Sequence, residues 1–182
     1  MRPRLLFALA GLLASAALPA ADPAAKPTLA LVGGRIIDGY EGAPIDDGVV
    51  LIAGERVVAV GKRSQVAVPA GTPTIDARGM SVLPGLADMH IHTRPDWDDR
   101  GVWPVNPLYL YLANGVTTVR DMAPVGSHPT YALQWRDEIR AGSRIGPTLY
   151  ASGMRIDGSP LGEDLPATLV RWNREHGFDF LK

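Results

Sequence analysis

The segment Leu86-Ala87-Asp88-Met89-His90-Ile91-His92 closes an apolar run with two histidines one residue apart. Residues two apart on a β-strand point to the same side. A strand here presents both imidazoles together, and two neutral imidazoles on one side can hold a divalent metal such as zinc. Position adds weight to the spacing. The pair ends the strand and precedes a polar loop, 93–106, and sites in parallel α/β folds form at the C-terminal ends of strands. The competing reading is a hydrogen-bonded histidine pair with a purely structural role. The same alternation puts Asp88 on the side of His90 and His92, where its carboxylate could orient an imidazole. A salt bridge accounts for Asp88 equally well.

Downstream, strand and helix signals alternate. Residues 108–114 have helical spacing, and Gly115 suits the end of that helix. A β-branched run follows at 116–119, a helix at 131–140 ended by Ala141-Gly142, a strand at 147–152, and a helix at 165–176 with Gly177 beyond it. A last short apolar run covers 178–181. Four strands with three intervening helices imply βα units and a parallel sheet. Upstream the rhythm is different. Short extended pieces at 28–32 and 35–37 flank Gly33-Gly34, a turn signal. The runs 49–52 and 57–60 are separated by Ala53-Gly54-Glu55-Arg56 and read as a hairpin. Residues 74–76 add a further strand. This part predicts a small antiparallel sheet with no chemistry of its own.

The chain has 182 residues, 46% of them hydrophobic and 20% charged, a globular composition. A net charge of -1 with no long run of one sign gives no reason to expect nucleic acid or an anionic membrane as partner. The absence of cysteine excludes disulfides, thiolate metal sites, cysteine nucleophiles and a lipidated N-terminal cysteine. At the N-terminus, Arg2 and Arg4 precede an apolar run, 5–18, and then Pro19-Ala20-Ala21. That is the three-part pattern of a secretory signal, and the run is shorter than the ~18 apolar residues a membrane span needs. Residues 1–21 are therefore expected to be a signal peptide, with 22–27 as a lead-in. No membrane span is expected in the mature chain, which would be periplasmic or secreted.

Val82-Leu83-Pro84-Gly85-Leu86-Ala87-Asp88-Met89-His90-Ile91-His92 resembles the first barrel strand of the amidohydrolase superfamily. Asn114-Gly115-Val116-Thr117-Thr118-Val119-Arg120-Asp121 resembles the second strand. Arg136-Asp137-Glu138-Ile139-Arg140-Ala141-Gly142, followed by Gly146-Pro147-Thr148-Leu149, is similar to the second helix leading into the third strand. The resemblance implies an α/β fold in which a small β-sandwich segment, 22–82, precedes the first half of a TIM-like (β/α)8 barrel, 83–182. It implies a metal-dependent hydrolase in which a metal-activated water cleaves a carbon–nitrogen bond, an amide in a dipeptide or a cyclic amide. The substrate would be a small molecule or a peptide, and an oligomer is compatible with this reading. His90 and His92 become ligands of Zn2+ or another divalent metal, with two ions in the full-length protein.

The same resemblance gives the last residues a role. Gly177-Phe178-Asp179-Phe180-Leu181-Lys182 resembles strand four, where binuclear members place a lysine that reacts with carbon dioxide and bridges two metals as a carbamate. A plain ammonium cannot do this, because it has no lone pair. Lys182 occupies that position. In this chain alone the expectation is an exposed side chain at a frayed end; within a longer parent it is the carbamate. The family's further histidines, on strands five and six, and its strand-eight aspartate, the general base, would lie past Lys182. The chain is therefore expected to be an incomplete, inactive fragment whose apolar edges favour association.

Other residues carry weaker signals. Arg120 and Asp121 end the second strand near the expected mouth, as substrate contacts or, by preference, as an ion pair. Trp97 and Trp103 could line a pocket, but packing over the loop is the commoner role. His128 and His176 are expected to be structural or solvated, not ligands. Prolidase-like members carry a Gly-Gly-His-Gly stretch after strand three, whereas this chain reads Arg155-Ile156-Asp157-Gly158-Ser159-Pro160-Leu161-Gly162, which weighs against a dipeptidase. Three further readings stay open: a pseudoenzyme, a non-catalytic periplasmic binding module built on the β-rich segment, and a deaminase or lactonase of the same superfamily with Lys182 unmodified.

Overall fold

The computed structural model describes residues 26–94, 107–124, 129–156 and 165–182. The expected signal peptide 1–21, Trp97, Trp103, His128 and the stretch 157–162 lie outside the described residues. The chain divides into two compact units, Met1–Pro84 and Gly85–Lys182. Among the described residues they contain two sheets and three helices, a mixed α/β chain.

The first unit is a five-stranded sheet of β1 (Leu29–Ile36), β2 (Ile45–Ala53), β3 (Arg56–Lys62), β4 (Thr74–Asp76) and β5 (Ser81–Val82). The hairpin forms where the β-branched runs place it: β2 and β3 pair antiparallel through Gly54-Glu55, and Gly54 takes the positive φ of 56° that such a tight turn requires. Two expectations are corrected here. Gly33-Gly34 does not turn the chain. β1 runs straight through it, with register shifts on either side of Gly34, because a glycine at φ 86° absorbs a bulge without breaking the ladder. The sheet is also mixed and not antiparallel. The connection 63–73 carries the chain to the far edge of β1, where β4 enters in parallel, as β5 does further along. Ala30, Val49 and Leu51 form the buried core of this unit, with Val32, Val58 and Val66 packed against them. A cavity of about 520 Å³ beside Val32, Val66 and Val68, rimmed by Arg63 and Arg78, contains none of the candidate site residues.

The second unit alternates β6 (Leu86–Ile91), α1 (Pro107–Ala113), β7 (Val116–Asp121), α2 (Tyr131–Arg140), β8 (Thr148–Ala151) and α3 (Leu165–Glu175). The three strands form a parallel sheet in the order β6-β7-β8. Ile91, Val119 and Leu149, one from each strand, meet Leu108 of α1 and Trp135 of α2 in a single buried cluster. The fourth expected strand is corrected to one parallel bridge, Ser152 to Phe180. The reason is local. The amide of Ala151 donates to the Asp179 carboxylate at 2.9 Å, in the place where a strand would offer a carbonyl, while the Asp179 amide donates to Ala151 O at 2.9 Å. Arg136 of α2, 8% exposed, anchors the same segment by donating to Gly177 O at 2.8 Å and to Asp179 at 3.2 Å.

Leu149 is 1% exposed at the centre of the cluster. Leu149→Ala is expected to cost ~2–5 kcal/mol, read as a lower urea midpoint by tryptophan fluorescence. Val57→Ala, at a position 54% exposed, should change the stability by less than ~0.5 kcal/mol.

Candidate active site

Parallel register brings three strand ends into one row: Ile91 lies beside Asp121, and Asp121 beside Ala151. The residues that follow, His92, Met122 and Ser152, therefore emerge together, and the Ser152–Phe180 bridge adds the segment leading to Lys182. Ile91 is buried in the core. Its neighbours His90 and His92 leave the strand on the other side, with ring centroids 5.4 Å apart and planes tilted by 58°. Zn–N contacts of ~2.1 Å at a tetrahedral angle place two imidazole centroids roughly 5 Å apart, so the observed separation is of the size one shared ion requires. Among the described residues there is no group of three or more histidine, cysteine, aspartate or glutamate side chains able to hold a metal.

His92 is held through one ring nitrogen. Its Nδ1 lies 2.9 Å from the carbonyl oxygen of Ala123. A carbonyl only accepts, so Nδ1 carries the proton and the Nε2 lone pair is left for a ligand. Lys182 reaches the same turn, its Nζ donating to Met122 O at 2.9 Å, and its backbone oxygen accepts the amide of Ile156 at 2.8 Å. The expected frayed, exposed terminus is thereby corrected: two hydrogen bonds tie Lys182 to the strand-end region, and it is partly buried.

The face expected for Asp88 and the ion pair expected of Arg120 and Asp121 are also corrected. β6 carries an irregularity between Asp88 and Ile91, so Asp88 pairs in register with the buried Val119. A bulge shifts the alternation by one residue. Asp88 thus lies on the core side and not with the imidazoles, and its carboxylate accepts the backbone N–H of His90 at 3.1 Å. Arg120 and Asp121 do not pair, because adjacent strand residues face opposite ways. Arg120 donates to Met89 O at 2.9 Å and lies 5.1 Å from the centre of the Phe180 ring. Asp121 is fully buried. One of its oxygens accepts from the hydroxyl of Thr93 and, at 3.3 Å, from the Thr93 amide. Its other oxygen has no hydrogen-bond partner among the described residues. Burial pushes its pKa up to about 6, and the Thr93 hydrogen bonds and the charges of His92 and Lys182 hold that rise back.

His176 takes a structural role, its Nδ1 donating to Trp172 O at 2.8 Å and its ring stacked on Trp172 at 4.1 Å. Sequence reasoning missed Thr93, Ala123, Ser152 and Tyr131. Tyr131 donates to Thr93 O at 2.6 Å, and Ser152 Oγ accepts the Ala123 amide at 2.7 Å. Only Thr93, directly after the histidine pair, carried any local signal.

The second unit is a parallel α/β layer whose titratable groups gather at the C-terminal ends of its strands, where sites form in parallel α/β folds. No family model matches the chain. A dihydroorotase of Citrifermentans bemidjiense is 49% identical over 72 residues, 36% of this chain and 15% of that protein. An N-acyl-D-aspartate deacylase of Alcaligenes xylosoxydans xylosoxydans is 35% identical over 99 residues, 54% of this chain and 18% of that protein. Among solved structures, a Bifidobacterium longum protein described as a prolidase superposes with a TM-score of 0.68 at 26% identity, over 86% of this chain and 40% of that one. These likenesses indicate the amidohydrolase superfamily, of which this chain covers a partial region. The chain spans less than a fifth of the length of these two curated relatives.

The buried carboxyl sets a pH dependence. The pKa of Asp121 is raised from 3.8 to about 6 on folding, so the folded state holds a proton that the unfolded state releases. This contribution to stability is full below about pH 4 and is lost as the pH rises through about 6. Asp121→Asn removes the component, roughly 3 kcal/mol. The expected result is a wild-type urea midpoint that falls relative to the variant across that interval; parallel curves would refute it.

Proposed function

We propose that this chain is the metal-proximal part of a hydrolase of the amidohydrolase type that cleaves a carbon–nitrogen bond with water. One observation carries the reading: two imidazoles leave the same side of the β6 end, 5.4 Å apart, at the end of a parallel sheet. On this reading 1–21 is a signal peptide, 22–82 a β-sandwich segment and 83–182 the first half of a (β/α)8 barrel in a periplasmic or secreted protein. Support for an incomplete barrel comes from the apolar side chains Met89 and Tyr150, which are 47% and 43% exposed and which closure of a barrel would cover.

A divalent metal held here, such as Zn2+, would lower the pKa of a bound water to ~7 and polarise the substrate carbonyl. The chain's own residues do the rest of what it can contribute. His92 offers Nε2 because Ala123 O fixes its other nitrogen, and His90 offers the second imidazole. Lys182, released from Met122 O and reacted as the free amine with carbon dioxide, would lose one proton and become an anionic carbamate able to serve a second ion. The general base is not supplied by any described residue placed at this site. The substrate class follows the relatives named dihydroorotase and deacylase: a cyclic amide or an N-acyl amino acid. The stretch after β8 weighs against a dipeptide. A second reading, a mononuclear deaminase or lactonase, is favoured by the engagement of Lys182 Nζ with Met122 O.

Isothermal titration of Zn2+ into the metal-stripped chain is expected to show one site that His90→Ala and His92→Ala each abolish. In the full protein the same changes should remove hydrolysis of cyclic amides or N-acyl amino acids. Unchanged turnover in either variant would overturn the hydrolase reading. Export from a Gram-negative host should yield a mature N-terminus near Asp22, checked by N-terminal sequencing; a retained leader would refute the assignment.

A further inference from the structure

We propose that Ser152 is a positioning residue for His92, acting through the backbone of Ala123. The inference rests on the reading of His92 as a metal ligand and adds how its ring is aimed. Ala123 sits at φ 80°, in the left-handed region that alanine rarely enters. It also precedes Pro124, and the residue before a proline is pushed towards extended backbone. Such a conformation persists only where its surroundings enforce it.

The enforcing group is the Ser152 side chain, which is fully buried. Its Oγ accepts the Ala123 amide at 2.7 Å and donates to Asp121 O at 3.2 Å, while the Ser152 amide donates to the same Asp121 oxygen at 3.1 Å. One hydroxyl thus spans the start and the end of the turn Asp121-Met122-Ala123. The amide of Met122 is fixed in addition by Ile91 O at 2.8 Å. With its amides held, the turn directs two successive carbonyls outward. Met122 O receives Lys182 Nζ and Ala123 O receives His92 Nδ1, each at 2.9 Å. The second of these bonds decides the tautomer of His92. A partner on the non-ligating nitrogen is what fixes ring orientation and basicity in metal-binding histidines. Here that partner is a strained carbonyl, and its direction depends on a serine from a different strand. Without Oγ the Ala123 amide loses its acceptor and the residue relaxes towards negative φ. The carbonyl then turns away, and His92 is free to exchange tautomers and rotamers.

The test begins on the metal-free chain at about pH 8, where an ordinary imidazole is neutral. Two-bond ¹⁵N–¹H correlation spectra report which nitrogen of His92 is protonated. The wild type is expected to be the Nδ1–H form, Ser152→Ala a mixture of both, and Ser152→Ala combined with Ala123→Gly largely restored, because glycine takes positive φ without strain. Zn2+ affinity should follow the same order, falling ~10–100-fold in Ser152→Ala and recovering in the double variant. If Ser152→Ala does not fold, Ser152→Cys carries the test. Its thiol is a weak acceptor, and an intermediate tautomer mixture is expected. A folded Ser152→Ala or Ser152→Cys protein with His92 still wholly Nδ1–H overturns the proposal. A wild type that shows the expected tautomer yet binds no Zn2+ overturns the ligand reading instead, so the two failures are told apart.

Discussion

The parallel ladder joining Ile91, Asp121 and Ala151 is the constraint on which this molecule's chemistry rests. Parallel strands return through helices, so their C-terminal ends share one edge of the sheet. Here that edge collects an imidazole pair, a buried carboxyl, a buried hydroxyl and an amine from segments far apart in sequence. The cluster of Ile91, Leu108, Val119, Trp135 and Leu149 beneath it holds the register by burying one apolar residue from each strand. A one-residue slip would exchange the buried and exposed sets, and the site would vanish with it.

The strand ends also show how a buried charge is arranged beside a candidate metal site. Asp121 points into the core side, not towards the imidazoles, and is met by Thr93. Its role in the fold is to clamp the backbone immediately after His92. Tyr131 holds the carbonyl of the same threonine from α2. The histidine pair is therefore braced from behind by a helix, from the side by the β7 turn, and through Ser152 by β8. Each brace uses a backbone group that secondary structure has left unpaired at a strand end.

Elements with a strong local signal are legible in the sequence. The hairpin about Gly54, the helix 131–140 and the pairing of two imidazoles on one side all follow from period and turn chemistry acting over a few residues. Features that do not read through are those decided by irregularity. Gly33-Gly34 has the composition of a turn but makes a bulge, since β2 offers partners on both sides of it. The fourth strand shrinks to a bridge because the Asp179 side chain takes the amide of Ala151. Asp88 changes face because one extra residue is accommodated in β6, which no alternation rule can foresee.

By itself the sequence determined the alternation of strand and helix, the placing of His90 and His92 at a strand end, and the absence of thiol chemistry. These depend on residue type and spacing, which are local properties. Only the tertiary structure decided that Asp121 is buried against Thr93, that Lys182 is anchored on Met122 O, and that Ala123 and Ser152 govern His92. Those facts are contacts between residues separated by some thirty to sixty positions. Their energies arise from burial and hydrogen-bond geometry at the sheet edge, which exist only once the strands have been brought side by side.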